Sequence, residues 1–354
     1  MNSAVRQHKT YLDILRIMAS FLVCYNHAYA YHLFLDQEAD GSLVSWINVI
    51  LSVLTTIDLP LFFMISGALL LGKKESYKEL YSKRILRFVV LIVVASAVVY
   101  CVLRPEGFSF RHFVYQLPAG QVNGSYWYLF AYLSFLLMLP FLRRIAEAIT
   151  QADMIHLILV RTVLIPGMLL LNLLLRLWDI PPVTLTEYLR VPLATFDFMF
   201  YPMTGYYLAE KVKIEQFGRK HLGCCFGVLV CGTLVAAWAT YTEGILEAFS
   251  QTYLGLFNYT SAMAVFLIVR YALCHISLPA GLARFLSAVS SVTIGIYLFE
   301  PLTGHYLYVP FFASVPWNPL TITVFSVLWC FVCMSIGGSA TYLLRKIPGV
   351  KKFL

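Results

Sequence analysis

The stretch "YLDILRIMASFLVCYNHAYAYH", residues 11–32, is apolar enough to enter a bilayer, yet it carries Asp13 and Arg16 near one end and His27 near the other. About 20 predominantly apolar residues are what a helix needs to cross the hydrocarbon core. A charged side chain turned toward lipid costs roughly 3 kcal/mol or more. Arg16 and His27 are eleven residues apart, about three turns and ~16 Å of rise, which puts them on one helix face. Asp13, three residues before Arg16, joins that face. Asp13 and Arg16 alone could snorkel to the membrane edge. Three ionisable groups in one stripe instead predict a retained first span whose polar face looks into a bundle or a hydrated cavity.

The rest of the chain repeats the apolar theme. Its 354 residues are 60% hydrophobic and 12% charged, against about 25% charged in an ordinary soluble domain. Apolar runs occur near 10–33, 46–72, 87–103, 126–142, 154–178, 191–209, 222–241, 252–273, 287–308 and 319–343. They are continuous rather than alternating, which excludes a β-barrel. The expectation is an all-α polytopic membrane protein of about ten transmembrane helices, forming one unit over 1–354. Twenty Lys and Arg residues fall on one side of these spans and four on the other, so both termini are expected in the cytoplasm. The net charge of +8 is accounted for by this asymmetry, and no nucleic-acid partner is implied. The first run is too long and too charged for a cleavable signal peptide. The eight cysteines lie in or beside the spans without metal-ligand spacing, so they read as packing residues, and no metal is expected.

Several segments together carry a family resemblance. "LDILRIMASFLVCYNH" contains Arg-x(10)-His; "DLPLFFMISGALLL" (58–71) runs phenylalanines into Ser66-Gly67; "YSKRILRF" (81–88) is basic. "YWYLFAYL" (126–133), "FDFMFYPMTGYYLAE" (196–210) and "SVTIGIYLFEPL" (291–302) follow in order. The chain resembles the acyltransferase-3 family, bacterial multi-pass enzymes that acylate envelope sugars. Among them it is most similar in length to the O-acetyltransferases of enterobacterial common antigen and the O-succinyltransferases of biofilm glycan. The resemblance implies a cytoplasmic (inner) membrane location, acyl-CoA (acetyl-CoA above all) as donor, and a glycan or lipid-linked saccharide as acceptor. One departure is that many members have His in the ninth span where this chain has Glu300; His305 follows and is expected to share that role.

Acyl transfer to a hydroxyl needs a base and stabilisation of the oxyanion. His27 is the expected base and Arg16, oriented by Asp13, the donor-side cation, with Glu300 on the acceptor side of the catalytic group. Lys83, Arg84 and Arg87 suit donor phosphates, although a cytoplasmic loop is basic in any case. Ser66 and Gly67 either let a donor arm approach the backbone or pack two helices closely. Trp127 and Tyr128 form either an interfacial belt or an acceptor platform, and Asp197 and His305 are further acceptor-side candidates. Asp58 is another acid at membrane depth, and Arg161 is expected to pair with one of these acids. Intramembrane His, Asp and Glu also mark proton relays, so a proton-coupled transporter or glycan exporter is the rival class. It would show repeated halves with broken helices, and none is evident in the sequence.

Overall fold

A computed structural model describes residues 3–28, 42–104, 107–120, 122–186, 188–246, 253–314 and 319–353. Among these residues every regular element is a helix. The helices used below are α1 (Ser3–Asn26), α2 (Leu43–Thr55), α3 (Asp58–Leu70), α4 (Tyr77–Leu103), α5 (Phe110–Gln116), α6 (Trp127–Ala148) and α7 (Gln151–Leu177). They continue with α8 (Pro192–Thr195), α9 (Asp197–Tyr206), α10 (Arg219–Leu246), α11 (Asn258–His275), α12 (Ala280–Ser291), α13 (Thr293–Thr303), α14 (Val309–Ala313) and α15 (Pro319–Leu344).

Local chemistry starts these helices where the chain leaves the apolar runs. Ser76 and Glu79 form a reciprocal capping box that opens α4, and Thr150 with Asp153 does the same for α7; each box satisfies otherwise orphaned N–H groups of the first turn. Pro166 lacks an N–H, and α7 passes through a π turn at Val163–Gly167 around it.

Each of the ten expected stretches holds helix. Residues 29–33 and 252 lie outside those described, as does the residue 354 end. Among the described residues six helices are long and apolar enough to cross a membrane, or seven if α12 and the helix following it, which meet at 52°, count as one span. The difference from ten has identifiable sources. α1 carries Lys9, Asp13 and Arg16 within one membrane-length window. The 191–209 stretch is divided among α8, α9 and a π turn. α11 has polar ends and Arg270.

α1 packs against α2, α3, α11, α12, α13 and α15. Its charged stripe therefore looks into the protein. α3 crosses α9 backbone to backbone: a β-carbon at Gly67 would lie 1.9 Å from the Pro202 carbonyl oxygen, and one at Gly205 would lie 2.0 Å from that of Met64. Only residues without a side chain allow this approach. Next to it, buried Arg161 joins three helices. Its guanidinium donates to the Ala194 carbonyl at 2.9 Å, to Asp197 Oδ1 at 2.7 Å and to the Tyr201 hydroxyl at 2.8 Å. The Phe200 ring lies beneath it at 4.7 Å. Asp197 is thus the acid that answers Arg161.

Candidate functional site

The polar face of α1 forms one wall of a cavity of about 550 Å³, with Arg16, Asn26 and His27 among its lining. α3 adds Asp58, Phe62 and Ser66, α6 adds Trp127, Tyr128 and Tyr132, and α13 adds Thr293 and Tyr297. Arg16 and His27, predicted from their eleven-residue spacing to share a face, thus open onto one space, whereas Asp13 does not line it.

At one end, His27 Nδ1 stands 3.0 Å from Glu300 Oε2. The approach is off the line of a hydrogen bond, so it is a close contact rather than an aligned donor, and it becomes an ion pair only when the imidazole is protonated. Glu300 is only 5% exposed and does not itself line the cavity: it stands behind His27. With Nδ1 against the carboxylate, Nε2 is the nitrogen left for a reacting group. Beside them the Asn26 amide donates to Asp58 Oδ2 at 2.7 Å and to the Thr55 carbonyl at 3.3 Å. The Thr55 hydroxyl donates back to Asn26, and the Leu59 N–H reaches Asp58 Oδ1 at 2.5 Å. Asn26 is thereby fixed on both faces of its amide, which holds the adjoining His27 backbone in place.

At the other end, Arg16 donates to Ser290 Oγ at 3.0 Å, while Asp13 is 4.0 Å away. Ser290 is therefore the nearer orienting group. Between the ends runs an aromatic wall, in which the Tyr128 ring lies 5.1 Å from Phe63, 6.0 Å from Tyr132 and 5.8 Å from Tyr297. α13 is tied to this wall through the Tyr126 hydroxyl, which donates to the Leu298 carbonyl at 2.7 Å, and the Tyr297 hydroxyl, which donates to the Ser125 carbonyl.

A second cleft, of about 310 Å³, is lined by Lys83, Arg84, Arg87, Lys351 and Lys352. It shares Phe88, Tyr132 and Ile294 with the first cavity. Ile294 and Glu300 are six residues apart on α13, or ~9 Å of rise. That helix therefore runs from the basic cleft to the imidazole.

Other sequence candidates fall elsewhere. Ser66 lines the cavity, its hydroxyl donating to the Phe62 carbonyl at 2.8 Å. Gly67 instead fills the α3–α9 crossing, the close packing of two helices that was one of the two readings of the pair. Trp127 lies at the cavity rim, about half exposed. Asp197 and His305 do not line the cavity; His305 is exposed on the π turn Gly304–Tyr308, edge-on to Tyr306. Sequence reasoning passed over Asn26, Tyr132, Tyr297, Lys351 and Lys352. Asn26 carried a signal, being a second polar residue beside His27 in an apolar run. The tyrosines carried none, because membrane helices are rich in them.

Arg84 is held by Glu75, which also takes Arg143 at 2.8 Å. These arginines, Arg84 foremost, hold the Glu75 carboxyl at about 2. A depressed carboxyl stabilises the fold at every pH above the ordinary carboxylate range. It loses that contribution only as pH falls through its folded value, so this clamp contributes no pH dependence between 5 and 8. Glu75→Gln is expected to cost about 1 kcal/mol and to lower the melting temperature of detergent-solubilised protein. An unchanged melting curve would show the clamp to be energetically neutral.

The model of one protein family, described as an acyltransferase domain, matches residues 9–337. No curated protein and no solved structure matches the chain. The match takes in α1 with Arg16 and His27, the α13 ladder to Glu300, and most of α15; on that coverage the chain belongs to the acyltransferase-3 family.

Proposed function

We propose that this protein is a membrane-embedded O-acyltransferase that moves an acyl group, acetyl in the first instance, from cytoplasmic acyl-CoA to a hydroxyl of an envelope glycan or lipid-linked sugar. The observation that carries the reading is a cavity at His27, backed by Glu300, that shares part of its wall with a basic cleft of a kind that suits a phosphorylated donor. The setting is a bacterial inner membrane with both termini toward the cytoplasm, which the distribution of Lys and Arg supports.

In this mechanism Nε2 of His27 takes the proton of the acceptor hydroxyl as its oxygen attacks the thioester carbonyl carbon. The new C–O bond forms while the carbonyl π pair moves to oxygen. The tetrahedral species collapses with cleavage of C–S, and the imidazolium returns its proton to the departing thiolate. Glu300 holds the ring in orientation and stabilises its protonated form between the two steps. Tyr128 has no hydrogen-bond partner for its hydroxyl among the described residues and lines the cavity, so it offers an O–H to the oxyanion. Arg16, ~16 Å along α1 from His27, is too distant to touch a carbonyl reacting there; its part is to hold the donor's polar arm.

Purified protein given acyl-CoA and an envelope glycan extract is expected to release free CoA only when both are present. No release above the rate of spontaneous hydrolysis would leave an exporter as the better reading. Glu300→Gln is expected to lower kcat about 10²-fold with an unchanged KM for acyl-CoA. A shared loss in both constants would mean that Glu300 supports the fold and not the base.

A further inference from the structure

We infer that the 3₁₀ turn Val350–Lys352, through Lys351 and Lys352, is the second jaw of a phosphate site for the donor; the inference rests on the acyl-CoA reading above. The cleft brings five cationic side chains together and no acid. Two of them have local carboxylates: Lys83 lies 2.9 Å from Glu79, and Arg84 is held by Glu75. Among the described residues no acid lies within ion-pair distance of Arg87, Lys351 or Lys352. Three uncompensated positive charges converging on one small space repel one another, and a polyanion relieves that repulsion.

Membrane topology does not require this convergence. Orientation needs basic residues on one side, not on one cleft. Here segments about 260 residues apart in sequence meet, and the backbone is shaped for it. Gly349 adopts φ +92°, a left-handed conformation that favours glycine, and the chain turns there after α15. The turn carries Lys351 and Lys352 to α4, whose Lys83 and Arg87 are one helical turn apart. Phe353, 40% exposed at the same rim, offers an aromatic face to a base.

Phosphate at this place could belong to the donor or to an anionic lipid headgroup. The donor is favoured because the cleft adjoins the His27 cavity, with Phe88, Tyr132 and Ile294 in the walls of both. A thioester arm anchored by its nucleotide phosphates would reach the His27 cavity across that shared wall.

The test is a Lys351→Ala, Lys352→Ala double variant assayed in vesicles of zwitterionic lipid and in vesicles containing phosphatidylglycerol. KM for acetyl-CoA is expected to rise about ten-fold or more in both, with kcat within about two-fold, as loss of charge-assisted contacts predicts. The wild-type preference for acetyl-CoA over its 3′-dephospho analogue should shrink in the variant. Lys351→Arg, Lys352→Arg should restore both, which separates loss of charge from loss of fold. An unchanged KM, or an effect seen only with phosphatidylglycerol present, would overturn the inference. Wild-type protein that neither binds CoA nor turns over acetyl-CoA would instead overturn the donor reading itself.

Discussion

His27→Ala is expected to lower acyl transfer by about 10²–10⁴-fold, the usual contribution of a positioned general base. Such a drop is well beyond assay scatter. The variant should still insert and bind acyl-CoA, because the basic cleft lies at the opposite end of the cavity and shares no His27 contact. The substitution leaves the Glu300 carboxylate buried without its imidazole, and an uncompensated buried charge destabilises. His27→Gln therefore belongs beside it: the amide keeps a polar group against Glu300 but cannot take a proton at neutral pH. Loss of turnover in both variants, with donor binding retained, is the outcome expected of a base. Near wild-type acylation by either would make His27 a packing residue whose ring merely satisfies Glu300.

Valine at Gly67 or at Gly205 is expected to abolish recoverable folded protein. A β-carbon at either position would sit about 2 Å from a backbone carbonyl of the opposite helix, where no rotamer change gives relief. The helices would have to separate, at a cost beyond the ~1–3 kcal/mol typical of overpacking. α3 carries Asp58, Phe62 and Ser66 into the cavity wall, so separation would also disorder the site. Gly223, in α10 with nothing within 4 Å of its missing β-carbon, takes the same substitution as a control. Monodisperse Gly67→Val protein with normal yield on size-exclusion chromatography would mean that the crossing is looser than this geometry.

Much of this was legible before any coordinates. Continuous apolar runs decide helix over strand, because a bilayer leaves no other partner for the backbone. The cost of charge in lipid orients α1, and helical periodicity places Arg16 and His27 on one face; both residues open onto the same cavity. Order and spacing of short segments were enough to identify the family. The number of helices long and apolar enough to span was less legible. Apolarity is averaged along a segment, whereas breaks at α8 and α9, or the bend after α12, depend on how neighbouring helices crowd them.

Partnership was decided by tertiary structure alone. Nothing in the sequence says that Glu300 stands behind His27 and does not face the cavity, that Asp197 belongs to Arg161, or that Ser290 lies nearer Arg16 than Asp13 does. Gly67 and Ser66 are neighbours with opposite fates, one spent on a helix crossing and the other on the cavity wall. Lys351 and Lys352 looked like a topology signal until the turn after Gly349 carried them to Lys83 and Arg87. The physical reason is common to all of these. Hydropathy and periodicity act along one helix and are written locally, but a pair or a cavity forms between helices brought together by packing.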